Sequence, residues 1–263
     1  MTTIPVPISA SRLTFLHALT GEWVKLRSLK STWWFLGLII VVVTLLNVAL
    51  FALFPVPQDA SADTLAVDST MKMAGQVDIL IGVIMATLSI TSEFSSGSIL
   101  PSLNAVPRRG LLLAAKATLL ALVIFVSTAI GTALSVLLGD AILSARGHTQ
   151  VWTSADGRIL VGGCLYVTAV ALLAFFLGVL VRSSVAVIAV IMALVWIVPP
   201  LVGLAGSSGQ GVMRLLPSVA GGQVFARTPD TATGGAWGGF SILLAYIVIV
   251  AVVAIVAFRK RDI

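Results

Sequence analysis

Long charge-free apolar runs dominate this chain and restrict what it can become. Trp33–Phe54, Ala117–Gly139 and Ile159–Val181 carry no charged residue, and two more such runs lie within Ser183–Met213 and Thr231–Phe258. About 20 consecutive apolar residues cross the roughly 30 Å hydrocarbon core of a bilayer as a helix. A soluble domain carries charge on about 25% of its residues; this chain has 10% charged and 59% hydrophobic residues. A sixth run is weaker. Ile79–Ser92 is too short alone, so a span there starts near Met73 and includes Asp78. The expected fold is all-α: one transmembrane domain over 1–263, with membrane helices at 33–54, 73–92, 113–138, 159–181, 184–204 and 237–258.

Basic residues orient such a bundle. If both termini share one side, that side holds eleven Lys and Arg: Arg12, Lys25, Arg27, Lys30, Arg108, Arg109, Lys116, Arg182, Arg259, Lys260 and Arg261. The other side holds five: Lys72, Arg146, Arg158, Arg214 and Arg227. Acids run the other way, with seven of the ten Asp and Glu toward the second side. Both termini are therefore expected in the cytoplasm. The same reading assigns the net charge of +6 to topology rather than to nucleic acid binding. Residues 1–30 contain no continuous apolar core, so no cleaved signal peptide is expected.

Two segments flank the spans in an unusual way. Leu13, Leu16, Leu19, Trp23 and Leu26 recur at spacings of three and four, an apolar stripe on one helix. Lys25 lies off the stripe, Glu22 at its edge and Arg27 at its end. This predicts an interfacial helix over 11–30, with Trp23 at headgroup depth and long basic side chains reaching lipid headgroups. Between the fifth and sixth spans, Pro199-Pro200 and a series of glycines interrupt an apolar stretch. Broken backbone at membrane depth needs protein or water cover, so 205–236 is expected to form an external segment of short re-entrant helical pieces.

Catalytic chemistry finds no foothold. There is no Gly-x-x-x-x-Gly-Lys-Ser/Thr phosphate loop, no Gly-x-Ser-x-Gly and no His-Glu-x-x-His. His17 and His148 fall outside the spans on opposite sides. Cys164 has no cysteine partner and reads as a small apolar residue. Asp78 is the one candidate for an intramembrane acid and reads as an interfacial residue at an external helix end. The expectation is a chain with no enzymatic activity and no cofactor or metal of its own. Gly131, Gly162, Gly163 and Gly178 allow close helix contact.

The stretch Glu93–Arg109 stands apart. It is polar, basic at its end and rich in helix breakers, yet lies between two apolar runs. Together with the leader from Glu22 to Trp33, the broken segment before the last span and the Phe258-Arg-Lys-Arg-Asp262 end, it resembles the membrane subunit of ATP-binding-cassette transporters of the type-2 permease family. The resemblance implies a half-transporter of the exporter kind, in a bacterial cytoplasmic membrane. It implies a second permease chain, either a copy or a homologue, and two separate ATPase subunits that carry ATP and Mg. The loop 93–110 would contain a coupling helix. In it, Glu93 would favour the helix N-terminus, Phe94, Ile99 and Leu103 would be apolar anchors, Gly97 would allow close approach, and Arg108 and Arg109 would pair with acids of the ATPase. Two other classes stay open: a self-contained secondary transporter or channel, and a membrane scaffold that transports nothing.

Overall fold

The computed structural model describes residues 14–54, 65–97, 109–148 and 151–260. It is 90% helical, with no strand among the described residues. In chain order the helices are α1 (Phe15–Ser28), α2 (Lys30–Leu53), α3 (Leu65–Ser95), α4 (Arg109–Ala145), α5 (Ser154–Val181), α6 (Ser184–Met192), α7 (Val198–Gly203), α8 (Gln210–Leu215), α9 (Pro217–Gly222) and α10 (Gly235–Lys260). A π-helical turn, Ala193–Ile197, joins α6 to α7. Six rods are long and apolar enough to cross a membrane: α2, α3, α4, α5, the continuous Ser184–Gly203 and α10. The chain is an all-α polytopic membrane protein.

Helix α5 is the hub, and its Ala174 and Phe175 are fully enclosed. Lipid tails are as apolar as leucine, so helices in a bilayer associate through close packing and polar bonds rather than hydrophobic expulsion. Gly162 shows the first effect. A Cβ there would stand 2.7 Å from the Val224 carbonyl oxygen, so a bare backbone at 162 lets the segment after α9 lie directly on α5. At Gly131 a Cβ would come within 3.3 Å of the Ile40 Cα, and α4 and α2 touch there in the same way.

Local signals set the helix ends. Leu29 is extended at φ −83°, ψ 112° and separates α1 from α2. A capping box of Thr153 and Asp156 starts α5. Arg182 ends it in the left-handed region at φ 57°, which costs a non-glycine residue energy unless its surroundings hold it there. Near Pro199-Pro200, which cannot donate backbone N–H groups, the Ser218 hydroxyl donates to the Leu194 carbonyl at 2.9 Å.

Alternating helix direction gives the bundle two ends. One gathers α1, the C-termini of α3, α5 and α10, and the start of α4. The other gathers the starts of α3 and α5 and the short helices. Two helices run past the expected spans: α3 begins at Leu65, ahead of its membrane-capable stretch Gly75–Ser95, and α4 runs on to Ala145. Asp78 is enclosed by the bundle: its residue is 2% exposed, and its Oδ1 has no hydrogen-bond partner among the described residues. It lines a small cavity with Thr128, Thr132, Cys164 and Tyr166.

Candidate functional site

At the α1 end, three helices converge on a cluster of two glutamates and two lysines. Ala18 and Leu19 of α1 pack on Leu111, Leu112 and Ala115 of α4. Glu22, one turn after Ala18, thereby faces Lys116, which follows Ala115. Lys116 Nζ donates to Glu22 Oε2 at 2.6 Å and to Glu93 Oε1, near the end of α3, at 2.7 Å. Lys25 Nζ lies 3.0 Å from Glu22 Oε1 and 3.8 Å from Glu93 Oε1. Side-chain exposure is 4% for Glu22, 10% for Lys116, 14% for Glu93 and 43% for Lys25. The cluster is therefore mostly withdrawn from solvent and formally neutral. It fastens α1 to both arms of the α3–α4 connection.

Burial alone would raise the Glu22 pKa. The Lys116 charge and hydrogen bonds from Lys116 and Lys25 outweigh it and hold the carboxyl below its ordinary value. A carboxyl depressed in the folded state stabilises above its unfolded pKa, and that contribution is lost as pH falls through the folded one. The hold of α1 on α4 is thus complete at neutral pH and weakens on acidification below the ordinary glutamate range. Spin labels at Thr20 and Thr118 are expected to show one short distance at pH 7 and a broadened one in acid. Glu22→Gln should remove that pH dependence. An unchanged acid transition in Glu22→Gln would assign it to another group.

Beside the cluster, a cleft of about 700 Å³ opens between α2 and α3. Phe35, Met85, Leu88 and Leu120 line its inner part; Ser28, Ser31, Ser92 and Ser95 line the part nearer α1, with Lys25, Glu93 and Lys116 in its wall. Glu93 Oε2 is buried and has no hydrogen-bond partner among the described residues. On the next residue, Phe94 packs edge-on against Phe258 with ring centroids 6.1 Å apart, and the Arg182 guanidinium lies 4.6 Å from its centroid. Arg182 Nε and Nη2 are also buried without hydrogen-bond partners among the described residues.

The predicted site residues are distributed as follows. Glu93, Glu22 and Lys25 meet in the cluster. Phe94 turns into the bundle, while Gly97, at φ 69°, ends the described part of the loop in an exposed turn. Ile99, Leu103 and Arg108 lie outside the described residues. Arg109 opens α4. Leu16 and Trp23 are exposed on α1, where Glu22 is buried, and Arg27 is exposed with its carbonyl accepting from Trp33 Nε1 at 3.2 Å. Lys116 is the centre of the cluster and was not among the predicted site residues. Its signal was a cation inside the expected span 113–138, which calls for a carboxylate partner.

Residues 34–263 match the family model described as a protein of unknown function (DUF2705). The match includes Glu93 and Lys116 but not Glu22 and Lys25. No curated protein matches the chain.

Proposed function

We propose that this chain, which belongs to the DUF2705 family over residues 34–263, is the membrane-spanning half of a transporter driven by a separate ATPase. The observation that carries the reading is the buried Glu22–Lys116–Glu93 bridge, with Lys25 at its edge. It links a peripheral helix to both ends of the α3–α4 connection. A partner that pushed on that connection would therefore move α1, α3 and α4 together, as a coupling element requires. In this reading α1 lies in the cytoplasmic interface with Leu16 and Trp23 toward lipid, and both termini are cytoplasmic, in a bacterial plasma membrane. Two copies, or one copy and a homologue, form the pathway and seat two ATPase subunits, which hold ATP and Mg. The segment after α7 is external, and export is the direction.

The docking surface then lies on the exposed shoulder Ser95–Gly97 and the loop beyond it, whereas Phe94 supports that shoulder from inside. Co-purification with the candidate ATPase should yield two permease and two ATPase chains by native mass measurement. Glu93→Gln should keep the ATPase bound and hydrolysing while transport falls. Hydrolysis and transport that both survive Glu93→Gln at full rate would remove the coupling role. Topology is tested by cysteines in a Cys164→Ser background: an impermeant thiol reagent on intact cells is expected to label a cysteine at position 60 but not one at 95. Reversed labelling overturns the orientation.

One observation favours a second reading. Asp78 is an enclosed acid in an apolar span, as in carriers that bind a coupling ion. Transport by the purified chain in vesicles without any ATPase, abolished by Asp78→Asn, would establish that reading instead.

A further inference from the structure

We propose that the cleft between α2 and α3 is a binding site for an amphiphile whose head is a protonated amine bearing N–H groups. Polarity along the α2, α3 and α4 walls of the cleft runs one way, with Leu26 and Leu29 the apolar residues at its polar end. On α3, Met85 and Leu88 give way to Ser92 and Ser95, a distance of about 15 Å from Met85 to Ser95 at the helical rise. On α2, Phe35 lies one turn inside Ser31 and Thr32; on α4, Leu120 lies one turn inside Lys116. A molecule with one polar end and one apolar end matches this gradient, and the polar end lies nearest α1.

The hydrogen bonds decide which polar end. The Ser28 hydroxyl donates to the Lys25 carbonyl at 2.8 Å, Ser89 to Ala86 at 2.8 Å, Ser92 to Leu88 at 2.6 Å and Ser95 to Ser92 at 3.1 Å. Each proton is thus turned back onto its own backbone, and each oxygen keeps acceptor capacity. Glu93 Oε2 adds a buried acceptor that no donor satisfies among the described residues. The lysines do not reverse this preference: Lys116 is held between two carboxylates, and Lys25 beside them. The cleft therefore offers acceptors around a carboxylate oxygen, and a primary ammonium supplies three donors and a positive charge. An anionic head would meet lone pairs and the unsatisfied carboxylate oxygen. A quaternary ammonium carries the charge but no N–H.

This site is independent of the transporter reading, because binding is measured on the chain alone. The full-length chain in phosphatidylcholine nanodiscs is titrated with dodecylammonium, dodecyltrimethylammonium and dodecyl sulfate below their micelle concentrations. Dodecylammonium is expected to bind saturably, about tenfold or more tighter than the trimethyl analogue, because buried acceptors left without donors penalise the wrong head. Dodecyl sulfate should show no saturable binding. Ser92 is exposed, so Ser92→Leu should place an apolar side chain in the polar part of the cleft, where the ammonium would sit, without unfolding the chain, and abolish the saturable phase. Glu93→Gln should weaken it about tenfold, the loss of one charge-assisted hydrogen bond. Ser241→Leu, on α10 away from the cleft, should leave it unchanged. Repeating the titration in phosphatidylethanolamine distinguishes two sources of the amine. A resident lipid would compete the response away, whereas a site kept for another amphiphile would retain it. Equal affinity for all three heads overturns the proposal, as does binding that survives Ser92→Leu.

Discussion

Lys116→Met is expected to destabilise the protein by about 3 kcal/mol, near the lower end of the range for breaking a buried ion pair by removing one partner. Methionine matches the length of the lysine stem, so the loss is electrostatic rather than a cavity. It leaves Glu22 and Glu93, both largely withdrawn from solvent, without the ammonium that touches them at 2.6 and 2.7 Å. Lys25 remains at 3.0 and 3.8 Å, which keeps the loss from the top of the range. Adding Glu22→Gln should restore about half, since one carboxylate then remains for Lys25. Unfolding in mixed micelles measures both, against Thr118→Met on an exposed face of α4. If Lys116→Met unfolds no more readily than Thr118→Met, the cluster does not hold α1 in place.

The cluster also marks how far sequence reasoning reaches. Five spans are legible because a charge-free run can be counted, the sixth only by admitting Asp78, and six apolar rods are present among the described residues. The apolar stripe of α1 was read from its period as one face, but it divides: Leu16 and Trp23 are exposed, while Leu19 packs on α4. What a stripe cannot tell is where the opposite face goes. Glu22, at the stripe's edge, finds Lys116 94 positions along the chain, and no local pattern encodes that distance. Phe94 was misleading for the same reason. An aromatic beside a polar loop suggests an exposed anchor, but Phe258 and Arg182, remote in sequence, enclose it. Asp78 lowered the apparent hydrophobicity of its run and therefore looked peripheral. The bundle encloses it beside a small cavity also lined by Gly75, Gly163, Thr128 and Thr132, which lie far from it in sequence except for Gly75. Near the Leu65 end of α3, Asp68 pairs with Arg227, 159 positions away, a contact that no local pattern encodes.

That pairing supplies the second large effect. Arg227→Met is expected to cost about 2 kcal/mol, discounted from a fully buried pair because the arginine side chain keeps some solvent access. Arg227 Nη2 donates to Asp68 Oδ1 at 2.7 Å and to Asp156 Oδ1 at 2.9 Å, and Nε donates to Asp68 Oδ1 at 2.9 Å. The Asp68 hydrogen bond comes first among the influences that raise the guanidinium pKa, so its charge persists at any working pH. Removing it affects the two acids unequally. Asp68 is 32% exposed and can turn to water. The Asp156 side chain is 0% exposed and keeps only neutral partners from the α5 cap, the Thr153 N–H at 2.6 Å and the Thr153 hydroxyl. Arg158 still binds the Val224 and Ala226 carbonyls at 2.8 and 2.9 Å, so the segment after α9 should loosen at Arg227 without leaving α5. Arg227→Lys should recover less than half, because one ammonium cannot reproduce the guanidinium fork between two carboxylates. Arg214→Met provides the comparison. Its pair with Asp230 is 46% and 34% exposed and should cost under about 1 kcal/mol. Hydrogen exchange of residues 223–230 separates the cases: faster exchange in Arg227→Met than in Arg214→Met is expected. Equal exchange in the two variants would mean that the Asp68–Arg227–Asp156 bridge contributes no more than an ordinary surface pair.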